Sequence, residues 1–179
     1  WRRLTGESPS YYGEGEEWYG ERIGPRHPVG GLSWQRARDV LARLELALPT
    51  EAQWEHAARA GSEGPWWTGH DPLSLRGAAN LRDLSATVTP HRAGAAPPTS
   101  STPTGTPLAG TLPFDDGHAG PAPVDADRPN PFGLHGTIGN LWELTRDVFR
   151  TSHAITMGDG DGLKLVEPNG LRTVRGGAF

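Results

Sequence analysis

Cysteine is absent from the 179 residues. That excludes disulfides, thiolate metal sites and a cysteine nucleophile within them. Long apolar runs are missing too. No stretch reaches the length of a membrane-spanning helix, and no basic start followed by an apolar core marks a signal peptide, so a cytoplasmic setting without a membrane span is expected. Basic clusters are equally scarce: Lys and Arg number 17 against 21 Asp and Glu, a net charge of −4. With no basic stripe interleaved with aromatics, nucleic acid is not an expected partner. An initiator Met is lacking, and the chain stops shortly after the β-like run Leu171-Arg172-Thr173-Val174-Arg175. A strand is expected to continue, and the sequence reads as cut at both ends.

What is present is glycine, proline and tryptophan. There are 25 Gly and 17 Pro, the mean hydropathy is −0.55, and the hydrophobic share is 35% with seven Trp. This composition fills one core, so a single domain over 1–179 is expected, with loops dominating and few helices.

Residues 1–29 show no helical or strand period and read as ordered coil. Their aromatics, Trp1, Tyr11, Tyr12, Trp18 and Tyr19, serve either as core or as pocket walls. Ser33 precedes Trp34, Ala37, Val40, Leu41 and Leu44 at helical spacing and predicts a capped helix. Thr50 stands three residues before Gln53 in a capping-box pattern, with Glu51 in the first turn, and predicts a second helix through Trp54, Ala57 and Ala58 that Gly61 closes. His56 on that helix reads as a packed or solvent-facing side chain, because no second ligand stands at metal spacing. Gly64-Pro65-Trp66-Trp67-Thr68-Gly69 reads as a turn. Residues 85–113, rich in Pro, Thr and Ala, form an insertion loop.

Asp115 and Asp116 precede Gly117. They suit either an Asx-turn or hard oxygen ligation of calcium. Met157-Gly158-Asp159-Gly160-Asp161-Gly162 has part of a calcium-loop pattern but no closing Glu, and reads as a solvated turn. The densest signal is Asn130-Pro131-Phe132-Gly133-Leu134-His135-Gly136-Thr137-Ile138-Gly139-Asn140-Leu141-Trp142-Glu143-Leu144-Thr145-Arg146-Asp147. Three glycines at intervals of three bend the backbone, and an alternating run then predicts a short strand. Neither Asp115 with Asp116 nor the seven His show the spacing of an acid-base or nucleophile-base pair, so no catalytic residue is assigned.

Ser33-Trp34 before a helix, Leu48-Pro49-Thr50-Glu51-Ala52-Gln53-Trp54-Glu55-His56-Ala57-Ala58-Arg59, Asn130 to Asp147, and Val174-Arg175-Gly176-Gly177 occur in an order that closely resembles the formylglycine-generating enzyme, or sulfatase-modifying factor, family. The resemblance implies an α+β, C-type-lectin-like fold of low regular structure, with two helices, small antiparallel sheets and bound calcium. By that resemblance a first Ca2+ site would use the Asn80 side chain, the Leu81 carbonyl, Asp116 and the His118 carbonyl. A second would use the Gly139 and Leu141 carbonyls with Glu143, since Gly136 stands where members have Asn or Asp. The family oxidises a substrate cysteine to formylglycine with copper held by two cysteines shortly after an Arg-Gly-Gly-Ser motif. Here Ala178 replaces that Ser, and Cu is implied only if a segment beyond Phe179 supplies the cysteines. A second implied reading is a non-catalytic lectin-like binding module, as in domains appended to bacterial kinases and proteases or in variable receptor-binding proteins. Such a module would contact a protein or peptide ligand through Trp142 and Arg175. A third relative, the iron sulfoxide synthases, requires an iron-binding partner domain.

Overall fold

The computed structural model describes residues 1–18, 20–84, 111–149, 160–163 and 170–178. Its elements are short: helix α1 (Arg2–Thr5), strands β1 (Glu17–Trp18) and β2 (Glu21–Arg22), helices α2 (Trp34–Ala42) and α3 (Glu51–Arg59), a 3-10 turn at Pro72–Leu75, then β3 (Glu143–Val148) and β4 (Arg172–Arg175). Strands β1 and β2 form one antiparallel pair and β3 and β4 another, with Glu143 opposite Arg175 and Leu144 opposite Val174. Two nine-residue helices and two small antiparallel sheets are the architecture expected from the sequence.

Both helix starts are set by their caps. Ser33 accepts from the Arg36 amide, and Thr50 exchanges hydrogen bonds with Gln53 in a full capping box, satisfying amides that the first turn leaves without partners. The buried carboxylate of Asp147 on β3 accepts from the Glu51 amide at 2.6 Å, adding negative charge at the α3 N-terminus. Helix α2 is tied to β3 by the Trp34 indole, which donates to the Thr145 carbonyl at 2.7 Å while the Arg172 guanidinium lies 3.8 Å over its ring.

Some expectations are corrected. Residues 1–29 contain α1 and the β1–β2 hairpin, because bonds from the Ile23 amide to the Glu16 carbonyl and from the Gly15 amide to the Ile23 carbonyl stabilise a pair too short to show periodicity. Of their aromatics, Tyr11 is 81% exposed, Tyr12 and Trp18 pack edge-to-face with it, and Trp1 is a pocket wall rather than core. Tyr19 lies outside the described residues. Leu44 falls beyond the end of α2 and is exposed. Left-handed closure of α3 begins at Ala60, one residue before Gly61. Within 157–162, only Gly160, Asp161 and Gly162 are described, and that turn is docked rather than solvated: the Thr50 hydroxyl donates to the Asp161 carbonyl at 2.6 Å and Arg146 pairs with its carboxylate at 3.0 Å. His56 is exposed and rests on the Phe132 ring, as expected.

The apolar core is small, centred on Leu75, Ala79 and Phe114, with Trp66, Leu81, Leu112 and Ile138 packed against it. The largest fully buried side chains are polar: Asn80, Thr50, Thr145, Asp83 and Asp147. Hydrogen bonding therefore carries much of the ordering that aliphatic packing supplies in helix-rich domains. Residues 85–110 of the expected insertion lie outside the described residues, but its base is visible. The Leu84 amide donates to the Phe114 carbonyl at 3.0 Å and the Leu112 amide to the Arg82 carbonyl at 3.1 Å.

Candidate functional site

The glycine-rich stretch makes a backbone crossing with the Asn80 segment. Gly139 has φ +80°, and a Cβ there would meet the Asn80 carbonyl oxygen at 1.9 Å. Only glycine allows that approach. Across the crossing the Asn140 amide donates to the Asn80 carbonyl at 2.7 Å, and the Gly139 amide donates to the Gly176 carbonyl at 2.7 Å. The buried side chains complete a lattice. Asn80 Nδ2 donates to the Gly120 carbonyl (2.8 Å) and to Asn140 Oδ1 (3.2 Å), while Asn140 exchanges bonds with the backbone of Ala122 at 3.0 and 3.1 Å.

Beside this lattice three carboxylates converge. One oxygen from each of Asp83, Asp115 and Asp116 lies within 4.8 Å of the others. Asp115 and Asp116 both make Asx-turns, accepting from the Gly117 and His118 amides at 2.8 Å each. Asp116 also accepts from the Leu81 amide at 3.0 Å and donates its own amide to the buried Asp83 carboxylate. Burial pushes the Asp116 carboxyl up to about 6. The His118 and Leu81 amides pull it down, and the Asp83 charge pushes it further up. Asn80 Oδ1 is buried without a hydrogen-bond partner.

These features fit a calcium ion: a hard cation takes oxygen donors, neutralises converging carboxylates and satisfies an orphaned amide oxygen. The structure ties Asp116 to the amides of Leu81 and His118, with Asn80 next in sequence to Leu81, and adds Asp83, which sequence reasoning missed. Its signal was its place three residues after Asn80, at the foot of the insertion. It also missed Glu21, whose carboxylate takes His118 Nδ1 at 3.0 Å and ties the β1–β2 hairpin to the acidic loop.

Glu143 is placed differently. Its Oε2 accepts from the Trp54 indole at 2.7 Å, and burial raises its carboxyl while that bond opposes the shift. The Leu141 and Thr137 carbonyls border Gly176, 3.7 and 3.9 Å from where a Cβ would stand. Glu143 and Leu141 therefore adjoin the Arg-Gly-Gly turn, where the Glu143 carboxylate is engaged with α3.

Trp142 and Arg175 are engaged differently. Arg175 turns to α3, pairing with Glu55 and, at 3.7 Å, with Glu51, while its guanidinium lies 5.2 Å over Trp54. Trp142 is 60% exposed and lines a cavity of about 680 Å³ with Leu32, Leu41, Leu144 and Val174. His135, Asn140 and Glu143 give this trough a few polar points on a largely aliphatic wall. Thiolate copper has no donors in this chain, which holds no cysteine. Among the described residues no helix is long and apolar enough to cross a membrane.

The arrangement has relatives. The family model for the sulfatase-modifying factor enzyme 1-like domain matches residues 12–179. Formylglycine-generating enzyme of Streptomyces coelicolor is 30% identical over 184 residues, covering 100% of this chain and 47% of that protein. Its counterpart in Thermomonospora curvata is 29% identical over 160 residues, covering 87% of this chain and 45% of that protein. The inactive C-alpha-formylglycine-generating enzyme 2 of Bos taurus is 31% identical over 129 residues, covering 70% of this chain and 34% of its own length. The chain thus spans about half, or less, of the length of these relatives. Among solved structures, Treponema denticola variable protein 1 superposes with a TM-score of 0.63 at 20% identity, over 99% of this chain and 68% of that one. With a low content of regular structure around two helices and small antiparallel sheets, and a family match over nearly its whole length, this chain belongs to the sulfatase-modifying factor enzyme 1-like domain family.

Proposed function

We propose that this domain is the peptide-binding and calcium-stabilised part of a protein that oxidises a cysteine in a sulfatase polypeptide to formylglycine. The observation that carries the reading is the trough beside β3 and β4. Its volume of about 680 Å³ and its aliphatic lining, with Trp142 exposed at the rim, suit an extended peptide. Trp142, Leu144 and Val174 would bury peptide side chains. The exposed His135 offers a hydrogen-bonding edge, and the Arg175–Glu55 pair holds the Arg-Gly-Gly turn against α3. Arg175 acts here as a brace, with Trp142 as the anchor.

Calcium fits the first site through Asn80 Oδ1, the Leu81 and His118 carbonyls and Asp116, with Asp83 and Asp115 adding charge. It would supply a hard positive centre that keeps the acidic loop closed. At the second site the Gly139 and Leu141 carbonyls and Glu143 offer fewer donors. The copper chemistry of the family requires thiolates that these residues do not contain, so this chain is assigned the binding and orientation of the peptide.

The test is to incubate the intact, copper-loaded protein with a sulfatase-derived peptide containing the target cysteine, and to measure the aldehyde by mass spectrometry. Aldehyde formation that falls with Trp142→Ala supports the reading. Peptide capture without aldehyde would instead identify a non-catalytic binding module, and no capture at all would overturn the peptide trough.

A further inference from the structure

The Glu21 carboxylate on β2 is held between two imidazoles. His27 Nε2 lies 3.5 Å from Glu21 Oε1, and Glu21 Oε2 accepts from His118 Nδ1 at 3.0 Å. The His27 side chain is 7% exposed, and its Nδ1 accepts from the Gly24 amide at 3.1 Å, which leaves Nε2 as the donating nitrogen beside Glu21. Its footing is firm. The Arg26 carbonyl accepts from the Val124 amide at 2.8 Å, the Arg26 guanidinium pairs with Asp125, and Ala122 nearby is bonded to Asn140 through both its amide and its carbonyl. His27 thus braces the carboxylate from the side of the buried lattice, and His118 carries it to the acidic loop.

His118 is fastened at two points. Its amide donates to Asp116 Oδ1 at 2.8 Å while its ring meets Glu21, so the acidic loop holds its main chain and β2 holds its side chain. Rotation about the His118 N–Cα bond would swing the ring off Glu21 and carry the carbonyl with it. The ring therefore holds the carbonyl. That carbonyl is one of the oxygens assigned above to calcium, and a hard cation is bound most tightly where its donors are set before it arrives. Groups that stand one contact behind a ligand tune a metal site in this way.

We propose that Glu21 is a positioning residue for the first calcium site: acting through the His118 ring, it sets the His118 carbonyl for the ion and couples calcium binding to the β1–β2 hairpin. This role rests on calcium at the Asp116 loop and is independent of the peptide trough. Linkage is reciprocal, so an ion that draws the His118 carbonyl into place also restrains Glu21. With Glu21 it restrains the hairpin, which is closed by the bond from the Ile23 amide to the Glu16 carbonyl at 2.9 Å. A contact that only docked the hairpin would be indifferent to the ion.

The experiment titrates calcium by calorimetry into the wild-type protein, Glu21→Ala, Glu21→Gln, His118→Ala and the Glu21→Ala, His118→Ala double variant, and follows amide exchange at Ile23 with and without the ion. Glu21→Ala is expected to raise the calcium dissociation constant roughly tenfold. Glu21→Gln, whose side-chain oxygen still accepts from His118 Nδ1, should recover much of that loss. His118→Ala keeps the carbonyl but loses the ring, so it should match Glu21→Ala and carries the test should that variant not fold. The double variant should be no weaker than either single one. Calcium should slow exchange of the Ile23 amide in the wild-type protein and not in Glu21→Ala. A wild-type protein that takes up no calcium overturns the calcium site and this proposal together. If the wild type binds calcium, the positioning role alone is overturned by unchanged affinity in Glu21→Ala and His118→Ala, by equal losses in Glu21→Gln and Glu21→Ala, by additive losses in the double variant, or by Ile23 exchange that ignores the ion.

Discussion

Replacing Gly139 with alanine is the sharpest test of the backbone crossing. The added Cβ would stand 1.9 Å from the Asn80 carbonyl oxygen and 2.7 Å from its carbon, both backbone atoms that no side-chain rotation moves. Holding alanine at φ +80° costs about 1–2 kcal/mol by itself. Relieving the contact means parting the two segments by more than 1 Å or so, which breaks the 2.7 Å bond from the Asn140 amide to the Asn80 carbonyl and leaves buried polar groups without partners, roughly 1–3 kcal/mol. The total is about 4 kcal/mol, a large share of a typical domain stability of about 5–15 kcal/mol. For a chain of this length that corresponds to a fall in melting temperature of roughly 8–16 °C. Gly133→Ala is the control: it has a matching φ of +81° but nothing within 4 Å of its Cβ, so it pays only the conformational part. Calorimetry and urea denaturation of both variants give the comparison. If Gly139→Ala loses no more than Gly133→Ala, the close approach does not constrain the fold and the reasoning fails.

Other substitutions probe the polar interior. Asn130→Ala removes donors to the Ala57 and Ala58 carbonyls at the end of α3 and an acceptor for the Phe132 and Leu134 amides, and should cost about 3 kcal/mol in urea denaturation. Trp54→Phe keeps the ring but removes the donor to Glu143, so stability should fall by about 1–3 kcal/mol and the Glu143 carboxyl, followed by NMR, should titrate higher still. Asp116 gives a pH signature. Its folded value of about 6 exceeds the ordinary 3.8, so the native state binds more protons between them. Stability from this group is present below about 4 and declines as pH rises through about 6, by an amount reduced because the carboxyl is partly exposed. Asp116→Asn should flatten the urea midpoint across that window, and calcium should raise the wild-type midpoint above it. Trp142→Ala, at an exposed site, should leave the melting temperature within a few degrees while weakening peptide capture.

The helix starts were legible because their causes are local: Ser33 and Thr50 with Gln53 act within one turn. The acidic site was legible in part. Asp116 and Asn80 were identified through the ordered family motifs, but Asp83 joins them only because the insertion stem folds back across more than two dozen residues of sequence. Pairings set by tertiary contact left no periodic trace, as with Glu21 and His118, or Thr50 and Asp161. Arg175 illustrates the limit most clearly. An arginine beside two glycines reads equally as a ligand anchor or a brace, and only the positions of Glu51, Glu55 and Trp54 show that its charge is already engaged.

The two rungs that join Leu84 to Phe114 and Arg82 to Leu112 have a consequence for protein engineering. They clamp the ends of the intervening segment, so the rest of the fold experiences a closed stem whatever is threaded between. Loop closure grows only with the logarithm of length, about 0.6 kcal/mol for each doubling. The sequence between Leu84 and Leu112 is therefore a natural graft region, where a reporter peptide or a whole guest domain with adjacent termini can be spliced in at little thermodynamic expense.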